Sequence, residues 1–309
     1  MYSKLSKIAG VSLLTFAAFT GNAYASNKCT IGLAVANLQA DFFNQIKLSA
    51  QDEGKVVGCK IITVDARGDS ATQVNQIQDL ITRQVNAIIY IPAGATAASV
   101  PVKAAKAAGI PVVTVDRNPA GAPGDTFIAT DSVAAARALG NYVAKLTHDK
   151  ANIGIIQGQI GTTPQIERSK GFMEAINHYP QMKVVERQAS NQWAQDEGFK
   201  IGQDMLQRNP TINVIFGQAD ALALGAAQAA KVAGEKLIIV GFDGDYAGLQ
   251  AVENGVLAAT MTQQTQRMGR LAVTSAVKLI KGEPVPKEQL LKGTLTTKAN
   301  VKKFIANHP

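Results

Sequence analysis

Residues 104–117 read A-A-K-A-A-G-I-P-V-V-T-V-D-R, a helix-like segment, a glycine and an apolar run that ends in an acid and a base. Residues 229–243, A-A-K-V-A-G-E-K-L-I-I-V-G-F-D, repeat this order, and the segment up to the glycine matches at a constant offset of 125. Gly109 and Gly234 occupy the position where a left-handed residue ends a helix. The apolar runs that follow are typical of parallel strands covered by helices on both faces. The repeat therefore predicts two similarly folded α/β halves.

Each copy of the repeat leads into an aspartate, Asp116 in the first and Asp243 in the second. Ligands of open α/β sheets bind beyond the carboxyl ends of the strands. We therefore expect both carboxylates to point into one cleft between the halves. Replacing either by alanine is expected to cost roughly 1–3 kcal/mol of binding, because ligand hydroxyls lose a partner.

Residues 1–25 have the pattern of a secretory signal peptide. Lys4 and Lys7 precede an apolar run from residue 8 to about 19, and Ala23-Tyr24-Ala25 matches an A-x-A cleavage site. A membrane anchor is the alternative, but the run is shorter than the roughly 20 residues that a spanning helix needs. We expect cleavage after Ala25 and a periplasmic product.

The length and the charge of the chain limit the number of domains and the classes of ligand. Of 309 residues, 284 remain after residue 25, which predicts two domains. The formal charge falls from +8 to +6 when Lys4 and Lys7 are removed. The other basic residues are spread along the chain, a pattern that indicates a solvated surface and not a nucleic-acid or membrane site.

The two cysteines stand in matching contexts. Cys29 and Cys59 each lie two residues before the first isoleucine of a predicted strand. If these strands are parallel neighbours in register, the two Cα atoms come within disulfide range. A Cys29–Cys59 disulfide is therefore our hypothesis, and two buried free thiols are the alternative.

Alternating apolar and amphipathic segments continue along the chain. The first half reads as strands at 30–36, 60–65, 87–91 and 111–115 and helices at 42–57, 70–84 and 97–108. From about Asp131 the second half reads as segments at 132–146, 152–156, 164–177, 183–188, 194–208, 213–217, 220–233 and 237–241, then a strand at 257–262, a helix at 266–280 and a tail with one strand and a short helix. Ser70 is the expected N-cap of its helix. The alternation predicts parallel sheets with right-handed crossovers.

Enzyme signatures are missing from the sequence. His148, His178 and His308 have no metal-ligand spacing and are expected on the solvated surface. No G-x-S-x-G motif occurs, and residues 154–161 match neither a dinucleotide-binding nor a phosphate-binding loop. We therefore expect no catalysis, no cofactor and no metal.

Polar and aromatic residues follow the predicted strands instead. They are Phe42, Phe43, Asp116, Arg117, Trp193, Asp220, Asp243 and Gln263. Carboxylates, amides and a guanidinium bond to hydroxyls, and aromatic faces cover the C–H surface of a sugar. Together they fit a polyhydroxylated ligand. The alternatives are aromatic rings in the core and an exposed Asp116–Arg117 salt bridge without function.

With these residues, the chain resembles the ribose-binding protein family of periplasmic ABC-transporter receptors across nearly all of residues 28–291. The matching segments are Phe42-Phe43, I-P-V-V-T-V-D-R-N at 110–118, E-R-S-K-G-F at 167–172, A-L-G-A at 223–226, V-G-F-D-G at 240–244 and A-A-T-M-T-Q at 258–263. The resemblance implies two doubly wound parallel-sheet lobes of flavodoxin-like topology, joined by a three-segment hinge, with the ligand in the cleft. It implies an N-terminal lobe of 26–130 plus 264–292 and a C-terminal lobe of 131–263 plus 293–309, with crossovers near 130, 263 and 292.

The same resemblance implies roles for individual residues. Phe42 and Phe43 stack on the sugar, and Trp193 falls where the family carries an aromatic ring. The residues that bond to hydroxyls are Asp116, Arg117, Arg168, Asp243 and Gln263, and the secondary candidates are Asp41, Gln218, Ala219 and Asp220. For Arg168 the alternative is a surface arginine paired with Glu167 or Glu174. If Arg168 binds the ligand, Arg168→Ala is expected to weaken binding without changing the ligand-free melting temperature.

Two positions depart from the ribose-binding pattern. Ala40 and Ala219 stand where that pattern has asparagines. The side-chain amide of an asparagine can donate two hydrogen bonds and accept two, whereas alanine can make none. We therefore expect a ligand other than ribose: a different neutral pentose, a tetrose or a sugar alcohol, with a hexose or inositol as the alternative.

The function predicted from the sequence is that of a periplasmic substrate-binding protein. It closes its lobes on a small sugar or sugar alcohol and delivers it to the permease of an ABC importer, as a monomer, with a chemoreceptor as a further candidate partner. One alternative is a sugar-sensing regulator of the lactose-repressor type, although the signal peptide stands where its DNA-binding helices belong. Another is a binding protein for a different small polar ligand, such as inositol or an autoinducer-like furanose.

Overall fold

The computed structural model describes Met1 and residues 29–308. The predicted signal peptide and its cleavage after Ala25 concern residues that, apart from Met1, lie outside this description. Among the described helices, none combines the length and the apolar character that crossing a membrane requires.

The first half of the chain alternates strands and helices. Its elements are β1 (Thr30–Val35), α1 (Asp41–Val56), β2 (Lys60–Asp65), α2 (Ser70–Thr82), β3 (Ala87–Tyr90), α3 (Ser99–Ala107), β4 (Val112–Val115) and β5 (Thr126–Thr130). Strands β3, β4 and β5 are buried along their whole length, as strands covered by helices on both faces must be.

The second half continues this alternation. Its elements are α4 (Ser132–Thr147), β6 (Lys150–Gln157), α5 (Thr163–Ile176), β7 (Gln181–Ala189), α6 (Gln195–Arg208), β8 (Val214–Gly217), α7 (Asp220–Ala233), β9 (Ile238–Val240), α8 (Tyr246–Glu253), β10 (Thr260–Thr262), α9 (Thr265–Ile280), β11 (Glu288–Leu291), β12 (Thr294–Thr296) and α10 (Val301–Ala306).

Two sheets with the same strand order confirm the two-lobed α/β fold. The first is parallel throughout, in the order β2-β1-β3-β4-β5-β11. The second has four parallel strands in the order β7-β6-β8-β9. Single bridges from Val240 to Ala259 and from Asp243 to Thr262 place the antiparallel pair β10–β12 beside β9. The repeat in the sequence thus corresponds to β4 and β9, with α3 and α7 before them.

The chain passes between the two sheets three times, through very short segments. These are residue 131 between β5 and α4, residues 263–264 between β10 and α9, and residues 292–293 between β11 and β12. The sequence predicts crossovers near 130, 263 and 292, and the division into lobes at those residues stays a prediction. The site between the lobes is therefore bordered by three closely spaced connections.

Some elements differ from the sequence prediction. Strand β5, helix α8 and strand β11 were missed, and the strand predicted at 257–262 is limited to β10. Strand β11, E-Q-L-L, is an edge strand with mostly unburied side chains, so its apolar signal is weak. The N-cap of α2 is Asp69 and not Ser70, because the Asp69 carboxylate accepts a hydrogen bond from Thr72 N at 2.6 Å.

A disulfide joins Cys29 and Cys59, whose Cα atoms are 4.5 Å apart. The parallel register of β1 and β2 pairs Thr30 with Lys60, so the two cysteines that precede these residues are neighbours. They stand at the amino ends of the strands. The disulfide therefore lies at the opposite edge of the sheet from the strand ends where ligands of α/β sheets bind.

Candidate functional site

A cavity of about 270 Å³ lies between the lobes at the carboxyl ends of the strands. Seven of the eight primary candidates line it: Phe42, Phe43, Asp116, Arg117, Arg168, Trp193 and Asp243. Of the secondary candidates, Asp41 and Ala219 line it, as does Ala40. The structure therefore brings residues as far apart in the sequence as Ala40 and Asp243 into one space.

Three residues of the cavity wall have unusual backbone conformations. The φ angles of Asp116 and Trp193 are 61° and 62°, and that of Asp243 is 125°. Such conformations cost energy in residues other than glycine and cluster at binding sites. Two backbone bonds to the β10 segment hold Asp243 there, because its N–H donates to Met261 O and its carbonyl accepts from Gln263 N. The fold thus holds these three side chains at a conformational cost.

The first of two buried ion pairs in the wall is formed by neighbours after β4. Arg117 Nε lies 3.4 Å from Asp116 Oδ2, and both side chains are 7% exposed. Arg117 Nη1 also donates to the carbonyls of Pro92 and Ala93, and its guanidinium lies 5.4 Å from the ring centre of Phe43. Burial raises the pKa of Asp116, and the positive charge of Arg117 opposes this rise. An exposed salt bridge, the alternative for this pair, is excluded.

The second ion pair joins two elements of the other lobe. Arg168 on α5 is 3% exposed, and its Nη1 lies 3.1 Å from Asp243 Oδ1 and donates to Gln218 O. Its guanidinium stacks 3.9 Å from the ring centre of Phe242. Burial raises the pKa of Asp243 to about 7, although the charge of Arg168 lowers it. Arg168 is therefore not a surface arginine.

Trp193 lies between the two arginines. Its ring centre is 5.7 Å from the guanidinium of Arg117 and 5.5 Å from that of Arg168, both within cation–π range. Its other side packs against Gly158, where a Cβ atom would come within 1.9 Å of the indole. The ring therefore connects the two ion pairs across the cavity.

Several buried polar atoms of the described site have no hydrogen-bond partner in the protein. They include Trp193 Nε1, Arg168 Nε and Gln263 Oε1. Native proteins satisfy nearly all such atoms. The first two are donors on residues that line the cavity, so the hydroxyl groups of a ligand can satisfy them, whereas the third is an acceptor on Gln263, which does not line the cavity.

The wall carries two guanidinium groups and four carboxylates. Each arginine is paired with one carboxylate, and the further acids Asp41 and Asp245 lie at the starts of α1 and α8. Asp245 accepts a hydrogen bond from Gly248 N at 2.8 Å, and burial raises its pKa. Helix N-termini favour carboxylates through their positive dipole ends. The two carboxylates beyond the ion pairs disfavour an anionic ligand.

Three candidates do not line the cavity. Gln263 lies behind Asp243 and donates to its Oδ1 at 2.8 Å. Gln218 turns into its own lobe, where its amide donates to Ser169 Oγ and accepts from Gly158 N. Asp220 is fully buried and bonds to the loop before α8 and to β10, and burial raises its pKa. The direct ligand contact predicted for Gln263, Gln218 and Asp220 is thus not supported by where they lie.

Sequence reasoning missed several polar residues of the wall. They are Asn37, Gln39, Gln159, Asn191, Gln192 and Asp245. Most follow the ends of β1, β6 or β7, so the rule that located Asp116 applies to them as well. They lacked a motif that set them apart from ordinary loop residues.

Two of the three histidines are exposed, but the expectation fails for His308. His308 is half-buried, and its Nε2 lies 2.7 Å from Gly244 O. Within the described residues, no group of histidine, cysteine and acidic side chains is arranged to hold a metal ion.

Comparison with known proteins places these features in context. Residues 31–284 match the family model described as periplasmic binding protein domain. The chain is 34% identical to the ribose import binding protein of Haemophilus influenzae, over 91% of this chain and 95% of that one. It is 32% identical to the D-apiose import binding protein of Paraburkholderia graminis, over 96% and 95%. An ABC transporter solute binding protein of Bacillus halodurans C-125, solved with bound myo-inositol, superimposes with a TM-score of 0.85 at 28% identity, covering 90% of this chain and 98% of that chain.

Proposed function

The chain belongs to the periplasmic binding protein family, and on this premise we propose that it binds a small neutral sugar or sugar alcohol between its lobes. It then releases the ligand to the membrane permease of an ABC importer. It works in the periplasm, exported by the signal peptide of residues 1–25 and cleaved after Ala25. It acts as a monomer and catalyses no reaction.

The observation that carries this proposal is the combination of two buried ion pairs with unpaired polar atoms in one cavity. A charged ligand would have to displace a carboxylate or a guanidinium from its partner at a high cost in a buried site. A neutral polyol leaves both pairs intact. Its hydroxyls accept from Trp193 Nε1 and Arg168 Nε and donate to the carboxylates.

Both lobes contribute residues to the proposed site. Phe42 and Phe43, whose ring centres are 5.2 Å apart at an angle of 78°, offer two faces to the apolar side of the ligand. Asp116 and Arg117 bind it from the same lobe, comprising 26–130 and 264–292. Arg168, Trp193 and Asp243 bind it from the other lobe, comprising 131–263 and 293–309, and Gln263 holds Asp243 in place.

The preferred ligand differs from ribose. Ala40 and Ala219 line the cavity at positions where the ribose-binding pattern has asparagines. A ribose molecule in that pose would leave hydroxyls unpaired, at roughly 1–3 kcal/mol for each one buried without water. The two alanines together would reduce ribose affinity several hundredfold, since 1.4 kcal/mol is a factor of ten.

A thermal-shift panel tests the proposal. D-ribose, D-apiose, xylitol, erythritol, D-glucose and myo-inositol are each added to the pure protein. Ligand at 100 times its dissociation constant adds about 2.7 kcal/mol of stability, a shift of roughly 5 °C or more. The bound compound is then recovered and analysed. No shift with any sugar or polyol, or a chemically altered product, contradicts the proposed function, and the largest shift with D-ribose contradicts the choice of ligand.

A further inference from the structure

A ring of hydrogen bonds joins the two lobes beside the cavity. It runs from Asp41 through Gln45, Thr265 and His308 to the loop of residues 244–246, and from this loop back to Asp41. We propose that this ring, which His308 completes, is a clasp that holds the lobes in the closed arrangement. His308 does not line the cavity, so it acts as a positioning residue.

The first part of the ring lies in the N-terminal lobe. Asp41 Oδ2 accepts from Gln45 Nε2 at 2.8 Å, and Gln45 Oε1 accepts from Thr265 Oγ1 at 2.7 Å. Both groups of the Gln45 amide are therefore engaged. Thr265 is buried at the first turn of α9, directly after the crossover at 263–264. This part of the ring connects the cavity wall to the hinge.

The second part lies in the C-terminal lobe. His308 Nε2 donates to Gly244 O at 2.7 Å, and Nδ1 lies 3.4 Å from Thr265 Oγ1. Thr265 Oγ1 donates to Gln45 Oε1, and the tautomer of His308 decides which atom donates in the contact with Nδ1.

The ring closes across the cleft, where Tyr246 N donates to Asp41 Oδ2 at 3.3 Å. The loop that carries this N–H is rigid. Gly244 has a φ of 68°, and a Cβ there would come within 2.4 Å of Thr262 Oγ1. The buried Asp220 also binds the N–H groups of Gly244 and Asp245, at 2.8 and 3.1 Å.

A rigid loop and a fixed helix start can meet in only one relative placement of the lobes. Opening the cleft moves Tyr246 away from Asp41, and turning about the hinge moves His308 away from Thr265. The clasp therefore favours closure, and it does so next to Asp243, the strained acid that we assign to the ligand. Loss of one of its bonds should enlarge the open population roughly two- to tenfold, the effect of one net hydrogen bond.

Trp193 provides a direct readout, because it is the only tryptophan of the chain and lines the cavity. We would measure acrylamide quenching of its fluorescence in the absence of any sugar. His308→Ala and Thr265→Val should each raise the quenching constant at least twofold above that of the unsubstituted protein. The double variant should show no more than the larger single effect, because both changes open the same ring.

Two controls separate the clasp from general stability. His308→Gln keeps a donor for Gly244 O and should restore much of the original quenching. His178→Ala removes a histidine that is exposed and bonds within its own helix end, so it should change nothing. Melting temperatures are followed by circular dichroism for every variant.

Equal quenching in His308→Ala and the unsubstituted protein overturns the proposal. A rise in quenching together with a melting temperature lowered by more than about 5 °C also overturns it, because this result would assign His308 to lobe stability. Fully additive effects in the double variant overturn it as well. The quenching arm uses no sugar. Failure of the sugar panel therefore refutes the proposed ligand class without affecting the clasp, and unchanged quenching refutes the clasp alone.

Discussion

Gly158→Ala tests the position of the indole ring that connects the two ion pairs. A Cβ at this position would lie 1.9 Å from Trp193 Cη2 and 2.1 Å from Cζ2 and Cζ3. Ordinary contact begins at 3.4 Å, so the ring must move by about 1.5 Å. Gly158 has no positive φ, so alanine suits its backbone and the contact with the ring is the whole perturbation.

The direction of this movement follows from the packing. Gly158 lies behind the ring and does not itself line the cavity, so the added methyl group pushes Trp193 toward the ligand space. Overpacking of this kind costs about 1–3 kcal/mol. Because Trp193 belongs to a loop and can tilt into the cavity, we expect most of this cost to appear as weaker binding, roughly five- to 150-fold.

The assay combines fluorescence, calorimetry and melting. In the sugar-free protein the emission spectrum of Trp193 should change, and titration with the best ligand of the panel should show the loss of affinity. The melting temperature should stay within about 3 °C of that of the unsubstituted protein. Gly154→Ala in β6 is the matched control, since its Cβ would meet the flexible Met205 sulfur at 3.2 Å and otherwise only Ile212 and Ile215 at the ordinary contact distances of 3.4 and 3.7 Å. Unchanged emission and affinity in Gly158→Ala would refute the placement of the ring.

Three other substitutions probe charge and covalent structure. Arg168→Ala should weaken sugar binding. Contrary to the expectation from the sequence, it should also lower the sugar-free melting temperature, because it leaves Asp243 buried without its cation. An unchanged melting temperature would contradict this. Burial raises the pKa of Asp243 from 3.8 to about 7. At pH values between these two, the folded protein keeps a proton on Asp243 that the unfolded chain has lost. The free energy of unfolding therefore falls as the pH rises through this window. Urea titrations from about pH 4.5 to 7 should show a shallower fall in Asp243→Asn, and equal slopes would place the titration on another group. Replacing Cys29 and Cys59 by serine should cost roughly 3–4 kcal/mol of stability, because the disulfide closes a loop of 30 residues, and should leave the affinity for sugar unchanged. Altered affinity in calorimetry would show that the amino ends of β1 and β2 influence the site.

The sequence predicted the architecture well wherever secondary structure leaves a local signal. β2 and α7 have the predicted bounds, and most other elements differ by one or two residues, because apolar runs between glycines mark buried parallel strands. β5 was missed since it follows a segment rich in proline and glycine that reads as loop. β11 was missed since it pairs only with β5 and packs few apolar side chains.

The limits of sequence reasoning at the site concern the direction of side chains. Ala219 and Asp220 are adjacent, yet Ala219 lines the cavity while Asp220 points into the lobe and binds the loop at 244–245. The sequence shows that a polar residue follows a strand, but the turn that orients it depends on backbone angles set by distant partners. Trp193 shows the same limit, because its φ of 62° is set by the packing around it and leaves no mark in the sequence.

The two halves of the repeat are alike as folds and different as binding surfaces. Asp116 directly follows β4 and pairs with the next residue, Arg117, whereas Asp243 comes three residues after β9 and pairs with Arg168 from a helix. The extra residues let Asp243 bridge to β10 and adopt its φ of 125°. A ligand held between two identical acid–base pairs could bind in two opposite orientations. Since the pairs differ in geometry and Trp193 belongs to one lobe, we expect one orientation to be favoured, so that the proposed site would distinguish the two ends of a sugar.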